Sequence, residues 1–412
     1  MSQPLVISVR EARRFMLSHL LLSGEKTEGP GGVMKVFERL NCVQFDPLSV
    51  AGRNHDIVLQ ARVKDYKPAI CEKLLYKDRL LLDAWDRKMG IIRTTDWPLF
   101  RRFHAQTRKN LGGKDGEIFP VLDKIRALIR ERGPVIAKEM NISGEADWWF
   151  GTGNWGSPNL GRVALEAMLL WGELVIAHKN NGRKAYDFAE KLLPKEIIKQ
   201  GDPHKTEESY ADWRVQRRVA SAGLIQKGHS SVWMSSAILT PVSRNAAIAR
   251  LLKNGSLLQV HVEGVKPPFL ARAEDWVRYE TDKFTSDGKP RFIAPLDNLM
   301  WDRTLISALF GMDYHWEVYE PPQKRRFGYY VIPILAGDEL VGRVEPFLKK
   351  GDRAMRVKGF WRENGNTASG KTASGAKPGK IGKKAILRAI EEYAQFMGVN
   401  DYVVEDAARE NL

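Results

Sequence analysis

The sequence predicts an α+β protein, with helix-and-hairpin units first and a strand-rich domain after them. Three successive stretches up to about residue 275 each contain amphipathic helical segments followed by a pair of short apolar strands. Beyond about residue 285 the pattern changes, and strand-like runs dominate. Helices followed by a hairpin are the outline of a winged helix. We therefore expect tandem winged-helix units followed by a small C-terminal β-barrel-like domain.

The first predicted winged-helix unit covers residues 1–100. Ser8 is placed to cap an amphipathic helix that continues to residue 22, and a second helix follows a glycine-rich break. Two apolar runs, 80–85 and 89–93, then predict paired strands that are joined by a polar turn.

The second predicted unit covers residues 116–193 and ends in a wing. Helices are expected over 118–132 and 158–171, before two strands joined at Asn181-Gly182, a strong hairpin-turn signal. Cations at the tip of this wing suit contact with phosphates or the minor groove, and the alternative is a solvated tip that needs charge for solubility. These cations are Lys179, Arg183 and Lys184.

The third predicted unit covers residues 203–275. Helical spacing predicts helices over Glu207–Ala222 and Pro241–Lys253, and the apolar run Leu257–Val262 predicts a strand. Arg244 lies on the second of these helices, in the position of a recognition helix that would meet DNA.

The C-terminal domain covers residues 285–412 and is predicted mainly from its apolar runs. Gly337-Asp338 joins two of these runs as a hairpin, and a basic helix over 381–397 closes the domain. The stretch 364–379 is rich in Gly, Ser, Thr and Lys, cannot bury apolar surface and predicts a mobile loop. The predicted strands are 291–295, 315–319, 329–335, 339–346 and 355–361.

The charge balance indicates a polyanionic partner. Lys and Arg number 65 against 50 Asp and Glu, which leaves a formal net charge of +15 and an isoelectric point of about 9.6. Nucleic acid is the usual polyanion inside a cell. A protein that is merely basic is the alternative.

The cysteine content and the apolar runs exclude several classes of protein. Cys42 and Cys71 are too few for a disulfide framework, and neither stands in a spacing typical of zinc ligands. Neither a secretory signal nor an apolar run of about 18 residues is visible in the sequence. We therefore expect a soluble, cytoplasmic protein with no metal, no other cofactor and no membrane partner.

One short segment of the first unit carries residues that can do chemistry. Gln44 and Asp46 are two residues apart, so in an extended strand their amide and carboxylate project from the same face, with Phe45 directed into the core. Asp46 followed by Pro47 is also an ordinary helix start, with Asp as the N-cap and Pro at the first helical position. The spacing alone favours the cap and leaves both interpretations open.

The same segment resembles a known family. Residues 43–46 and the following 47–56 resemble the Gln-x-Asp segment of the winged-helix crosslink-repair DNA glycosylases, the AlkZ/YcaQ type. Further short segments resemble this family in the same order along the chain. They are Arg132-Gly133-Pro134, Trp171-Gly172-Glu173-Leu174, 183–190, Gly255-Ser256-Leu257, 295–303, 324–330 and Leu340-Val341-Gly342-Arg343.

The resemblance implies a fold, an activity and a catalytic pair. It implies three winged-helix units and a C-terminal β-domain, and hydrolysis of the N-glycosidic bond of alkylated purines such as N7-alkylguanine, including the unhooking of interstrand crosslinks. Gln44 and Asp46 match the catalytic positions, and Asp46 places the chain in the Gln-x-Asp branch. Asp46 would act as general base and stabilise positive charge on the sugar, while Gln44 holds the attacking water. The enzyme would act as a monomer on double-stranded DNA.

Several basic residues allow both a functional and a structural interpretation. Arg53 is the best candidate for a phosphate contact near the lesion. His55 either approaches the site or packs its helix, and packing is favoured. The run Lys324, Arg325 and Arg326 suits phosphate contact and a solvated turn equally well.

Asp297 and Asp302 flank a short run and could be imagined as a metal-binding nuclease pair. No third carboxylate stands at a useful spacing in the sequence. Capping of a strand-to-helix junction is therefore the favoured interpretation of both residues.

A non-enzymatic transcriptional regulator built from the same winged helices is the alternative function. It predicts a dimer with sequence-specific binding. A glycosylase predicts a monomer whose binding to DNA is independent of sequence and sensitive to salt.

Overall fold

The computed structural model describes residues 4–112, 118–146, 159–180, 182–228, 230–234, 239–363, 381–410 and 412. Helices and strands are mixed along these ranges, which confirms the predicted α+β class. The chain divides into two compact units. The first contains Met1–Cys71, Ala211–Ser235 and Leu239–Leu412, and the second is formed chiefly by Glu72–Tyr210, which interrupts the first in sequence. The finer division into three winged-helix units and a C-terminal domain stays a prediction.

The first unit contains a four-stranded sheet that joins the N-terminus to residues 225–272. Its strands are, in order, Leu5–Ile7, Leu257–Val262, Val265–Arg272 and Ile225–Gln226. The first pair is parallel and the others are antiparallel, with Val260 opposite both Leu5 and Phe269. A separate short parallel pair joins Thr27–Glu28 to Val63–Lys64. The helices of these stretches are Val9–His19, Gly29–Leu40, Asn54–Gln60, Pro68–Tyr76, Glu207–Ala222, Pro241–Lys253 and Ala273–Thr281.

Local sequence signals explain where several of these helices begin. The Ser8 hydroxyl accepts a hydrogen bond from the Glu11 backbone at 3.1 Å, so the predicted cap is confirmed. Thr240 accepts one from Ser243 in the same way, and Pro241 occupies the first helical position. The predicted bounds Glu207–Ala222, Pro241–Lys253 and Leu257–Val262 are confirmed.

The C-terminal part of the first unit is built on a five-stranded sheet. Its strands are, in order, Arg291–Phe292, Ile332–Ala336, Glu339–Phe347, Ala354–Arg362 and Asp401–Val404. Neighbours are antiparallel except for the last pair, which is parallel, and the predicted hairpin turn at Gly337-Asp338 is confirmed. The described strands form one open five-stranded sheet, so the β-barrel-like domain expected for this region is not confirmed. The helices here are Arg303–Phe310, Lys383–Phe396 and Asp406–Arg409.

Two sequence predictions for this region need correction. The predicted strand 315–319 is wrong, because Glu317–Tyr319 is a 3-10 helical turn whose Glu317 carboxylate accepts backbone hydrogen bonds from residues 326–328. The strand Asp401–Val404 was missed because its short run of β-branched residues adjoins no hairpin turn, and it pairs in parallel instead. The predicted mobile loop 364–379 lies outside the described residues.

The second unit contains two hairpins and several helices. Leu81–Trp85 pairs antiparallel with Met89–Arg93, and Leu174–Asn180 with Arg183–Phe188, so both predicted hairpins are confirmed. Val135–Ile136 extends the second hairpin into a three-stranded sheet. The helices are Arg101–Gly112, Phe119–Arg132, Leu160–Leu170, Ala189–Leu192 and Lys195–Lys199, which confirms the predicted helices near 118–132 and 158–171.

Candidate active site

Asp46 follows a two-residue strand, Val43–Gln44, and does not begin a helix. In the described stretch 45–53 the backbone is irregular, and the next helix starts at Asn54. The helix-cap interpretation of Asp46 is therefore wrong. Its Oδ1 accepts a hydrogen bond from the Leu48 backbone at 2.9 Å, which closes a local turn and leaves Oδ2 out of that bond.

Three side chains, two of them from distant parts of the sequence, hold the backbone of residues 41–46, the 41–46 segment. The Arg217 guanidinium donates to the Asn41 carbonyl at 2.8 Å. The Asn298 amide donates to the Cys42 carbonyl at 3.2 Å, and the Asn54 amide donates to the Gln44 carbonyl at 2.8 Å. These tertiary hydrogen bonds add to the short strand Val43–Gln44 in fixing this segment.

The two asparagines are themselves fixed by further backbone contacts. Asn54 accepts a hydrogen bond from the Leu296 backbone at 3.1 Å, and Asn298 donates to the Ser221 carbonyl at 2.8 Å. Each asparagine is 1% exposed. A buried amide that bridges two backbone groups cannot move without leaving both groups unsatisfied, so the 41–46 segment is rigidly supported.

Asp297 and Asp302 have structural roles. Asp297 forms a fully buried, two-pronged ion pair with Arg62, at 2.7 and 2.9 Å, and its Oδ1 also caps a 3-10 turn at the Leu299 backbone. Asp302 caps the helix Arg303–Phe310 by accepting from the Leu305 backbone at 3.0 Å. The capping interpretation of both residues is confirmed. Among the residues that the structure describes, no group of His, Cys, Asp and Glu could hold a metal ion.

The Asp46 carboxyl group lies in an electrostatic setting suited to accepting a proton. Burial raises the pKa of Asp46 above its ordinary value, and the hydrogen bond from Leu48 lowers it less strongly. The carboxylate in turn helps to raise the pKa values of Tyr319 and Tyr330, after the larger effect of their own burial. Asp46 therefore lies within electrostatic range of two tyrosine side chains. A raised pKa makes its carboxylate a stronger base.

The residues around the pair are partly buried. Gln44 and Phe45 are half-buried, so Phe45 is not fully directed into the core as expected. The Phe45 ring stacks on His55 with 5.7 Å between the ring centroids, and His55 is 3% exposed, which favours the packing interpretation of this histidine. Arg53 is half-buried, and its Nε donates to Asp56 at 2.5 Å.

The hairpin of Leu174–Asn180 and Arg183–Phe188, which the sequence analysis expects to be a wing, presents its cations unequally. The Lys179 ammonium is paired with Asp83 at 2.5 Å, and the Lys184 ammonium with Glu166 at 2.7 Å. Arg183 is exposed. Arg183 is thus the cation of this tip that is best placed to meet a phosphate.

Arg244 is half-buried in the first turn of Pro241–Lys253. Its guanidinium lies over the Trp233 ring, 5.2 Å from the centroid. Burial lowers the pKa of Arg244, and an arginine remains charged under these conditions.

A basic turn at residues 324–328 is held by a carboxylate that the sequence did not single out. The Glu317 carboxylate accepts backbone hydrogen bonds from Arg326, Phe327 and Gly328 at 2.9, 2.9 and 3.0 Å. The Arg325 Nε donates to a backbone carbonyl, and the Arg325 guanidinium covers the ring of a neighbouring tyrosine. The Lys324 and Arg326 side chains are exposed.

An aromatic turn at residues 316–319 adjoins this basic turn. The Trp316 ring makes edge contacts with Tyr319 and Tyr330, with centroid distances of 6.1 and 5.9 Å. Tyr330 is buried, whereas Tyr319 is 74% exposed. The sequence prediction missed these residues because it assigned them to a strand. The Trp-x-x-Tyr spacing, which suits one face of a helical turn, was the available signal.

Comparison with known families identifies the class of protein. The family model described as "DNA glycosylase AlkZ-like" matches residues 37–396. The chain belongs to the AlkZ-like DNA glycosylase family. It is therefore an enzyme that hydrolyses N-glycosidic bonds in DNA, and the alternative of a non-enzymatic regulator is wrong.

A solved structure of this family shares the fold. The Streptomyces sahachiroi DNA glycosylase AlkZ is 13% identical to this AlkZ-like glycosylase, with a TM-score of 0.60. The alignment covers 97% of this chain and 100% of the Streptomyces chain. In the described ranges of the AlkZ-like glycosylase, no helix is long and apolar enough to cross a membrane.

Proposed function

We propose that this enzyme excises N7-alkylguanine and related alkylated purines from double-stranded DNA, including purines in interstrand crosslinks, and that Asp46 and Gln44 are its catalytic pair. The observation that carries the proposal is the Asp46 carboxyl group, half-buried with a raised pKa on a rigidly held segment. The Gln-x-Asp resemblance supports the same assignment. The enzyme acts as a monomer without a cofactor.

The proposed reaction is a hydrolysis in which the leaving base is already cationic. The bond between C1′ and N9 breaks, and its electron pair goes to the purine, which becomes neutral. The sugar carries the positive charge in the transition state, where the Asp46 carboxylate stabilises it. A water oxygen then bonds to C1′, and its proton passes to Asp46. The Gln44 amide holds that water without adding charge.

The same chemistry explains selectivity for alkylated bases. A neutral purine is a poor leaving group unless an acid protonates it. No strong general acid is required when the purine is a cation. A site that supplies a carboxylate without a strong general acid would therefore favour cationic lesions.

The proposed DNA contacts follow from exposure and charge. Arg183, Lys324 and Arg326 are exposed and are the cations we expect to meet phosphates first. Lys179, Lys184 and Arg53 already pair with carboxylates, so contact with DNA competes with these ion pairs. Winged-helix units would present these cations to the duplex, and the net charge of +15 would make binding sensitive to salt.

The test is incubation with a duplex that carries one N7-methylguanine, followed by hot alkali to cleave abasic sites. We expect strand breaks with the wild type, and Asp46→Asn should lower the single-turnover rate by about 100-fold or more. Asparagine keeps an Oδ1 acceptor for the Leu48 backbone, so this variant should fold and bind DNA normally. A wild-type rate for Asp46→Asn would show that the catalytic assignment is wrong.

A second substrate tests the crosslink activity. A duplex joined by a nitrogen-mustard bridge between two guanine N7 atoms should release single strands on a denaturing gel, and Asp46→Asn should not release them. Sedimentation velocity measurements with and without DNA test whether the enzyme is a monomer. A crosslinked duplex that stays intact, while the N7-methylguanine duplex is cleaved, would restrict the proposal to single lesions.

A further inference from the structure

The two hairpins of the second unit are joined by a buried ion pair. We call them the 81–93 hairpin and the 174–188 hairpin. The Lys179 ammonium meets the Asp83 carboxylate at 2.5 Å, and the Asp83 side chain is 0% exposed. The Tyr76 hydroxyl donates to the other oxygen of Asp83 at 2.9 Å. A buried carboxylate is strongly destabilising without its cation, so this contact holds the two hairpins together.

The first strands of the two hairpins run in the same direction. Just before the first strand of the earlier hairpin, the Arg79 guanidinium donates to the Ile176 and Ala177 carbonyls at 2.9 and 2.6 Å. Further along the same strand, Asp83 lies beside Lys179, which is also further along its own strand. Both strands therefore advance towards their turns side by side.

The chain that follows each hairpin indicates the same direction. The Arg101 guanidinium donates to the Ile198 carbonyl at 2.5 Å, and each of these residues lies beyond the second strand of its hairpin. The ends of the hairpins that are remote from the turns thus meet as well. Both turns lie at the other end of the second unit, beyond the Asp83–Lys179 pair, and we call this the turn end.

The turn end carries two exposed cations. Lys88 lies in the turn of the 81–93 hairpin, and Arg183 begins the second strand of the 174–188 hairpin, opposite Asn180. Within the described ranges, neither Lys88 nor Arg183 forms an ion pair. Two cations that a rigid support holds at one end, without carboxylates, attract a polyanion together.

The phosphate backbone of duplex DNA is the partner that fits this end. The chain belongs to a DNA glycosylase family and carries a net charge of +15. A duplex carries one negative charge per about 1.7 Å of its axis, so each of two neighbouring cations finds a phosphate. The contacts of Asp83 and Arg79 fix the hairpins before DNA arrives, so binding costs little conformational entropy.

We propose that Lys88 and Arg183 form one two-pronged surface that binds phosphates of the same duplex. The 81–93 hairpin is then a DNA-contacting element beside the 174–188 hairpin, and Asp83 is a positioning residue that joins the two. This inference rests on the proposed function, because it adds Lys88 and a fixed partnership between the hairpins to the DNA contacts proposed above. Neither cation takes part in breaking the glycosidic bond.

The first experiment measures the affinity for an unmodified duplex of about two helical turns at several salt concentrations. Lys88→Ala should reduce the slope of the logarithm of the binding constant against the logarithm of the salt concentration by about 1. The double variant with Arg183→Ala should reduce this slope by about 2. A wild-type slope for Lys88→Ala would overturn the inference.

Two control variants separate a phosphate contact from a general loss of charge. Lys88→Arg keeps the cation and should keep the wild-type slope. Lys195 is an exposed cation on the helix Lys195–Lys199, which also carries Ile198 and so lies at the end remote from the turns. Lys195→Ala should leave the slope unchanged, and a fall equal to that of Lys88→Ala would overturn the inference. Because both lysines are exposed, all three variants should keep the wild-type melting temperature.

The second experiment tests whether the two turns share one end. Cys42 and Cys71 are buried, so spin labels should attach only to introduced cysteines. In double electron–electron resonance, labels on Lys88→Cys and Arg183→Cys should lie closer together than labels on Lys88→Cys and Lys195→Cys. The reverse order of distances would overturn the shared turn end.

Excision of N7-methylguanine by the wild type is measured separately. If excision occurs but Lys88→Ala keeps the wild-type slope, the inference fails and the proposed function stands. If the slope falls as expected but no alkylated purine is excised, the proposed function fails and the contact surface stands.

Discussion

Replacement of Asn54 should displace Gln44 and Asp46, the proposed catalytic pair. Its amide donates to the Gln44 carbonyl at 2.8 Å, and its Oδ1 accepts from the Leu296 backbone at 3.1 Å, both in a setting where Asn54 is 1% exposed. Asn54→Ala removes both bonds. Each buried backbone group left without a partner costs about 1–3 kcal/mol, so the free energy of unfolding should fall by about 2–6 kcal/mol.

Asn54→Asp is the sharper variant for activity. Aspartate keeps the acceptor for Leu296 but presents a second oxygen to the Gln44 carbonyl, which repels it. Displacement of catalytic groups by about 1 Å can lower a rate by about 100-fold, and we expect a loss of excision of this order. The assay is single-turnover excision of N7-methylguanine, with urea denaturation to follow stability.

The matched control changes Asn245, an exposed asparagine on the helix Pro241–Lys253. Asn245→Ala should change neither the free energy of unfolding nor the rate of excision. If Asn54→Asp is folded at the assay temperature and excises the base at the wild-type rate, the support from Asn54 does not position the catalytic pair.

Other predictions concern charge. Because burial raises the pKa of Asp46 and a general base must be ionised, the excision rate should fall on acidification with an apparent pKa above that of ordinary aspartate. The same raised pKa means that ionisation of Asp46 opposes folding at pH values above the unfolded pKa of about 3.9. In calorimetry at pH 7, Asp46→Asn should therefore melt at a higher temperature than the wild type. Below that pKa the difference in melting temperature should vanish. Arg62→Met leaves the Asp297 carboxylate buried without its partner, and the free energy of unfolding in urea should fall by about 3–5 kcal/mol. Arg388→Met breaks an exposed ion pair, and the free energy of unfolding should fall by less than about 0.5 kcal/mol. Fluorescence anisotropy gives the DNA-binding constant at several salt concentrations. Arg183→Ala should reduce the slope of the logarithm of this constant against the logarithm of the salt concentration by about 1. An unchanged slope would show that Arg183 does not contact DNA.

The elements that could be predicted from the sequence are those with local signals. Pro241–Lys253 has a threonine cap and a proline at its first position, and both act within one turn of the helix start. The residues 315–319 alternate in polarity like a strand but form a turn instead. Their conformation depends on hydrogen bonds that the Glu317 carboxylate accepts from backbone N–H groups about ten residues further on, which no short window of sequence contains.

The proposed catalytic pair and the residues that support it differ in the same way. Gln44 and Asp46 could be proposed from the sequence because a short motif carries them. Their supports could not, because Asn54, Arg217 and Asn298 lie 10, 176 and 256 residues from the carbonyls that accept their hydrogen bonds. A buried asparagine that binds a backbone carbonyl requires no particular neighbours in sequence. Only the folded chain shows what it holds.

The long reach of these hydrogen bonds has a consequence for the order in which the enzyme is made. Asp46 leaves the ribosome early, but Asn298, which holds the Cys42 carbonyl, follows about 250 residues later. At about 5–20 residues per second, this interval is roughly 13–50 s. During that time a nascent chain carries Gln44 and Asp46, the proposed catalytic residues, without the side chain that holds the neighbouring Cys42 carbonyl. Competence for base excision is therefore acquired late, when the C-terminal half has folded onto the N-terminal segment.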